Sequence, residues 1–119
     1  SYPGPSLIIA YAPCISQGIK TGMKSAQQEE AKAVAAGYWH CFRYNPSLKQ
    51  EGKSAFILDS KEPTGDFKEF LNGENRFNSL TRSNPERAEE LFAISEEHAR
   101  NRYAYLKKLI ALYGSEAEE

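Results

Sequence analysis

The sequence predicts a mixed α/β fold that ends in a long helix. Its first strand is the uncharged run Ser6–Ala12, which lies between two prolines and is typical of a strand buried on both faces of a sheet. A helix-forming stretch at 23–36 comes next, and Gly37 is a plausible stop. The aromatic stretch at 38–44 then has the alternation of a half-buried strand. Because a strand, a helix and a strand form a crossover unit, we expect a few parallel strands.

The second half of the chain is predicted to be mainly helical. The polar, glycine-bearing stretch 47–55 is expected to be a loop, followed by a short strand at 56–58. A turn signal then precedes a short helix near Asp66–Leu71, with Asp66 as its capping residue. A second short helix is expected at 74–80.

A long helix is predicted from Asn84 to about Tyr113. Asn84 can cap it, Pro85 suits its first position, and Gly114 ends it. The apolar residues expected on one face are Ala88, Leu91, Phe92, Ala99, Tyr103, Leu106, Leu109 and Ile110. The acidic tail 115–119 is expected to be disordered.

Composition excludes several classes of function. The 119 residues carry 15 basic and 16 acidic side chains, so the net charge of -1 does not favour binding to nucleic acid. No run approaches the length of a membrane span, so no membrane partner is expected. Two cysteines, Cys14 and Cys41, are too few for a secreted disulfide scaffold. A reducing, cytoplasmic location is therefore expected.

Most catalytic signatures are absent from the sequence. It contains no CxxC, HExxH, GxSxG or GxGxxG motif. His40 and His98 have no neighbouring cysteine, histidine or carboxylate constellation, so His40 is interpreted as a satisfied strand histidine and His98 as a solvated one. The paired glutamates lie on helical stretches and are interpreted as solvated faces. We therefore predict no catalytic and no cofactor-binding residue from motifs.

Cys14 stands out because it follows the end of the predicted buried strand. Ligands collect beside the carboxyl ends of strands in open parallel sheets, and Gly18 lets the backbone turn nearby. A thiolate there could be a nucleophile, or a ligand to a soft metal or an iron-sulfur cluster. The alternative is a small buried apolar residue, which is the common fate of a free cysteine. Cys41, on the aromatic strand, is assigned that structural role.

A series of short strings along the chain resembles the carboxyl-terminal part of pyruvate:ferredoxin (flavodoxin) oxidoreductases. Each string is weak alone, but the series keeps its order and spacing over nearly the whole chain. The strings are Pro5-Ser6-Leu7-Ile8-Ile9-Ala10-Tyr11-Ala12-Pro13-Cys14-Ile15, Gly18, Gly22-Met23, Gly37-Tyr38-Trp39, Arg43-Tyr44-Asn45-Pro46, Leu58-Asp59-Ser60-Lys61 and Asn75-Arg76-Phe77. A departure is Cys41, which stands where the family usually has an apolar residue.

This resemblance implies that 1–114 is the C-terminal portion of one doubly wound α/β domain that binds thiamine diphosphate with Mg²⁺. Family members are homodimers that oxidatively decarboxylate pyruvate on coenzyme A. Electrons pass through [4Fe-4S] clusters to ferredoxin or flavodoxin. The resemblance makes Cys14 the fourth ligand of the proximal [4Fe-4S] cluster and gives Cys41 no ligand role.

The same resemblance implies that the rest of the active site lies upstream of Ser1. The other three cluster cysteines, the cofactor motif and the pyruvate-binding arginine have no counterpart in this sequence. The chain is thus expected to be a fragment whose partner is the remainder of the oxidoreductase, and to retain no cofactor by itself. The alternative is a self-standing, non-catalytic α/β binding or scaffolding module. A fragment would expose an apolar, unpaired strand edge, whereas a native module would cover it.

Overall fold

The structure is a computed structural model that describes residues 2–114. The tail prediction for 115–119 lies outside the described residues. The described residues form four α-helices and a small sheet of two strands. In chain order the elements are a 3-10 turn at Met23–Ser25, α1 at Ala26–Ala35, β1 at Phe42–Tyr44, a 3-10 helix at Pro46–Glu51, β2 at Phe56–Leu58, α2 at Phe67–Gly73, α3 at Asn75–Ser83 and α4 at Pro85–Leu112.

The sheet is antiparallel, so the prediction of parallel strands is wrong for the described residues. β1 pairs with β2 in the register Phe42 with Leu58, Arg43 with Ile57 and Tyr44 with Phe56. The predicted loop between them is largely the 3-10 helix at Pro46–Glu51, which reverses the chain. Antiparallel neighbours need only such a short connection, whereas parallel ones need a longer crossover. The fold is therefore a mixed helix and sheet arrangement with a long final helix.

The opening apolar segment is not a strand in this structure. Residues 6–12 have no regular secondary structure, and the side chains of Leu7, Ile8 and Ile9 are 86%, 87% and 71% exposed. Its apolar composition is typical of a strand buried on both faces, so the predicted strand is wrong for this structure. A strand forms only where neighbouring strands supply hydrogen-bond partners, and none of the described segments pairs with this one. The segment therefore presents an apolar surface without a strand partner.

The helix boundaries follow the predicted caps closely. The carboxylate of Asp66 accepts a hydrogen bond from the Glu69 backbone N–H at 2.8 Å, and Asn84 accepts one from Arg87 at 3.1 Å. Each side chain thereby satisfies a backbone donor that the helix itself leaves free. Gly37 adopts a left-handed φ of 75° just after α1, as a helix stop requires. The predicted helices are confirmed, and α3 extends three residues further than expected.

The core lies where α1, α2 and α4 meet the aromatic residues after α1. Its buried side chains are Ala33, Ala36, Phe67, Phe70, Leu71, Ala88, Phe92 and Ala99, with Tyr11, Tyr38, Trp39, Phe77 and Leu80 packed against them. Tyr38 is central, since its ring lies within 6.1 Å of the rings of Phe67, Phe70 and Phe77. Such aromatic contacts add to the stabilisation from burial alone. The core thus joins the first and last thirds of the chain.

α4 extends beyond this core and buries only part of its apolar face. Ala88, Phe92, Ala99 and Leu106 are buried, as predicted, but Ile110 is 42% exposed. The radius of gyration is 17.6 Å, against about 13.5 Å expected for a compact domain of this length. The described chain is therefore elongated, with apolar surface left uncovered.

Among residues 2–114 no helix combines the length and apolarity needed to cross a membrane.

The exposed opening segment predicts self-association of the isolated chain. An exposed apolar segment with unpaired backbone groups can pair with the same segment of another copy, so light scattering should show a mass that rises with protein concentration. Replacing Ile8 by lysine should reduce this rise, because it places a charge on the most exposed apolar residue of the segment. A monomer at every concentration, with the amides of 7–11 protected from exchange, would contradict the prediction.

Candidate functional site

Cys14 begins a tight turn, and we call residues 14–18 the Cys14 turn. The carbonyl of Cys14 accepts a hydrogen bond from the backbone N–H of Gly18 at 2.7 Å. Gly18 has a φ of 73°, which is in the left-handed region where glycine has no steric penalty. Cys14 is half-buried, whereas its neighbour Ile15 is 83% exposed. The turn therefore holds the thiol near the surface rather than in the core.

The surroundings of the thiol favour its ionised form. The backbone N–H groups of Gln17 and Ser16 face the sulfur and lower the pKa of Cys14, and the positive charge of Arg76 acts in the same direction. A thiolate is both the nucleophilic and the metal-binding form of cysteine. Cys14 is also half-buried, so it is more accessible than the fully buried apolar residue of the alternative interpretation.

The Cys14 turn is held by the junction between α2 and α3. The backbone N–H of Asn75 donates to the Gly18 carbonyl at 3.2 Å, and its side-chain amide donates to the Gln17 carbonyl at 2.8 Å. Just beyond the turn, Lys20 N–H donates to the Gly73 carbonyl at 2.8 Å. These contacts join residues far apart in sequence and fix the orientation of the turn.

A buried carboxylate lies at the same junction, and we call Tyr11, Tyr38, Glu74 and Arg76 the Glu74 cluster. Glu74 is 1% exposed, and it accepts a hydrogen bond from the hydroxyl of Tyr11. Arg76 Nε lies 2.9 Å from the other Glu74 oxygen, and the Arg76 guanidinium donates to the Tyr38 hydroxyl at 2.9 Å. Burial raises the pKa of Glu74, while Arg76 opposes that rise. The cluster ties the residues before Cys14 to α3.

The donor set fits one ligand of an iron-sulfur cluster but not a complete site. A thiolate that receives backbone N–H groups has the chemistry of a cluster ligand. However, residues 2–114 contain no group of three or more His, Cys, Asp or Glu side chains that could hold a metal ion. The described residues can therefore supply one thiolate, and the other ligands of any cluster, or of a Mg²⁺ ion, must come from elsewhere.

The remaining cysteine and the two histidines do not join the Cys14 turn. Cys41 was predicted to be buried, and this prediction is wrong because its side chain is exposed. The residue lies directly before β1, and its backbone N–H donates to the Ser60 hydroxyl at 2.7 Å. His40 is buried beside the ring of Tyr103 at 5.4 Å, and burial lowers its pKa. Neither His40 ring nitrogen has a hydrogen-bond partner among the described residues, so it is not the satisfied histidine that was expected. His98 is exposed on α4, as predicted.

Sequence reasoning missed the contact of Glu74 with Tyr11 and the contacts of Asn75 with the Cys14 turn. More than fifty residues separate the two segments, so no local spacing could reveal them. The signal available was a charged and amide-bearing triplet directly after Gly73, between two short helices. Polar residues between two helices usually face solvent, and burial of Glu74 becomes visible only in the fold.

Two bacterial proteins are similar to this chain over nine-tenths of its length. No protein-family model matches the chain. The chain is 57% identical over 108 residues to the pyruvate:ferredoxin oxidoreductase of Moorella thermoacetica, which covers 91% of this chain. It is 50% identical over 109 residues to the pyruvate-flavodoxin oxidoreductase of Klebsiella pneumoniae, which covers 92% of it. The chain belongs to the pyruvate:ferredoxin (flavodoxin) oxidoreductase family.

The chain spans only a small part of these pyruvate:ferredoxin (flavodoxin) oxidoreductases. It covers 9% of the length of both the Moorella and the Klebsiella proteins. A mitochondrial pyruvate dehydrogenase [NADP(+)] of Euglena gracilis is 40% identical over 110 residues, and there the chain covers 6% of the relative. The described residues therefore correspond to one segment of much larger enzymes.

The lowered thiol pKa predicts unusual reactivity at Cys14. In a Cys41→Ser variant of this chain, alkylation of Cys14 by iodoacetamide should have a lower midpoint pH than that of a free cysteine in an unstructured peptide under the same conditions. The reason is that the Gln17 and Ser16 N–H groups stabilise the thiolate. A Cys14→Ser variant, in which Cys41 is the remaining cysteine, is the matched comparison for a thiol outside the turn. A Cys14 midpoint at or above that of free cysteine would contradict the assignment of these backbone donors.

Proposed function

We propose that this chain is the carboxyl-terminal portion of the thiamine diphosphate-binding domain of a pyruvate:ferredoxin (flavodoxin) oxidoreductase. The observation that carries the proposal is the identity of 50% to 57% along more than nine-tenths of the chain. The complete enzyme converts pyruvate and coenzyme A to acetyl-CoA and carbon dioxide. Two electrons leave through [4Fe-4S] clusters to ferredoxin or flavodoxin, and the reaction takes place in the cytoplasm.

Cys14 is, in this proposal, the fourth thiolate ligand of the proximal [4Fe-4S] cluster. The cluster supplies one-electron transfer when it is bound. The chain contributes a thiol near the surface, on a turn whose Ser16 and Gln17 N–H groups face the sulfur. Backbone donors of this kind offset the negative charge that a cluster and its thiolates carry. The geometry of the Cys14 turn therefore supports a ligand role better than a purely structural one.

The remaining parts of the active site belong to the rest of the oxidoreductase chain. A single thiolate cannot hold four irons, and the described residues offer no ligand set for Mg²⁺. We propose that thiamine diphosphate, Mg²⁺ and three further cysteines are supplied upstream, in an enzyme that is a homodimer. The isolated chain then binds no thiamine diphosphate and does not oxidise pyruvate.

The exposed opening segment supports a segment of a larger enzyme over a self-standing module. Residues 7–9 are strongly apolar and more than two-thirds exposed, and no described strand pairs with them. A module with its own binding or scaffolding function would cover such a surface. In the complete enzyme the segment lies in the sheet formed by the upstream strands. Cys14 then follows a strand end, where ligands of open α/β sheets collect.

Replacing Cys14 in the complete oxidoreductase tests this function directly. Cys14→Ala should remove one thiolate from the proximal cluster, so the iron content falls and the signal of that cluster disappears from the paramagnetic resonance spectrum of the reduced enzyme. The fold should stay nearly intact, because Cys14 is half-buried and alanine changes the volume little.

Cys41→Ala is the matched control in the same enzyme. Cys41 is exposed and far from the Cys14 turn in sequence, so its variant should keep its iron, its spectrum and most of its activity. If Cys14→Ala retains every cluster and its rate, or if Cys41→Ala is the variant that loses iron, the proposed role of Cys14 is wrong.

A further inference from the structure

The Cys14 turn is tied on both sides to one short stretch, Glu74–Arg76. Tyr11, three residues before Cys14, donates its hydroxyl hydrogen bond to Glu74. Gln17 and Gly18, on the other side of Cys14, are both held by Asn75. The sulfur is therefore located by contacts that flank it and that all lead to the start of α3.

Asn75 has the most direct influence on the donors that face the sulfur. Its side-chain amide holds the Gln17 carbonyl at 2.8 Å, while the N–H of the same Gln17 faces the Cys14 sulfur. The Gln17 carbonyl shares its peptide plane with the N–H of Gly18, which donates to the Cys14 carbonyl at 2.7 Å. The Asn75 amide therefore holds the peptide that closes the turn around the Ser16 and Gln17 N–H groups. The backbone N–H of Asn75 also holds the Gly18 carbonyl.

The Glu74 and Arg76 pair is better explained by positioning than by stability. Burial raises the pKa of Glu74, so the ionised carboxylate is costly in this position. Buried ion pairs can often be replaced by apolar residues without loss of stability, because desolvation offsets their attraction. The Glu74 and Arg76 pair positions other groups. Glu74 fixes Tyr11 before the turn and holds the Arg76 guanidinium where its charge acts on the Cys14 sulfur.

We propose that Asn75 is a positioning residue that sets the reduction potential of the cluster held by Cys14, by aligning the backbone donors of the Cys14 turn. This inference rests on the proposed ligand role of Cys14. Hydrogen bonds to cluster sulfurs and nearby positive charge stabilise the reduced, more negative state and so raise the potential. Loss of the Asn75 amide lets the turn relax and weakens this stabilisation.

The test is a redox titration of the complete oxidoreductase, followed by paramagnetic resonance. Asn75→Ala should shift the proximal cluster to a more negative potential, and the other clusters of the enzyme are the internal reference. Asn75→Asp, which keeps the shape but cannot donate and adds negative charge, should shift it further. Asn78→Ala is the matched control, because Asn78 is a half-buried asparagine on the same helix, with no side-chain contact to the turn.

The outcomes separate this inference from the proposed function. If Asn75→Ala and Asn75→Asp leave the potential of the proximal cluster equal to that of Asn78→Ala, while Cys14→Ala loses iron, the positioning role is wrong and the ligand role stands. If Cys14→Ala keeps all clusters, the ligand role itself fails. A negative shift in both Asn75 variants, with unfolding midpoints equal to that of Asn78→Ala, supports the positioning role, because a purely structural defect would lower the midpoint.

Discussion

The buried carboxylate of Glu74 is the contact on which the arrangement of this chain depends. A carboxylate with 1% exposure is tolerated only when it is paired. Of the two partners of Glu74, Tyr11 precedes the Cys14 turn in the sequence and Arg76 follows it. Removing Arg76 would leave the Glu74 carboxylate buried without its positive partner, which is unfavourable even though the Arg76 side chain is 35% exposed. Glu74 and its partner Arg76 thus fix the opening segment against α3 and against the aromatic core around Tyr38.

In the proposed function, this short piece contributes one ligand and its immediate surroundings to a redox site. A cluster ligand needs a thiolate, donors that offset charge and a fixed orientation. We propose that Cys14 supplies the first, the backbone of Ser16 and Gln17 the second, and Asn75 the third. The cofactor and the remaining thiolates are proposed to lie outside this segment, so a full site forms only in the complete enzyme.

Local sequence signals predicted the helices and their ends, whereas pairing and contacts between distant segments could not be predicted. The caps at Asp66 and Asn84 and the stop at Gly37 are local chemistry, and all are confirmed. The parallel sheet and the opening strand were wrong, because strand direction and pairing depend on neighbours that a single pattern does not reveal. The position of Cys14 after an apolar run is visible in the sequence, whereas the burial of Glu74 depends on contacts that form only in the fold. The relation between them could not be read from spacing.

The most direct test of this account is an experimental structure of the complete oxidoreductase that contains this segment. The account predicts Cys14 Sγ bonded to an iron of the proximal cluster, with Asn75 in contact with the Gln17 carbonyl and residues 7–11 paired in the sheet. A proximal cluster with four other ligands, and Cys14 away from every iron, would contradict it.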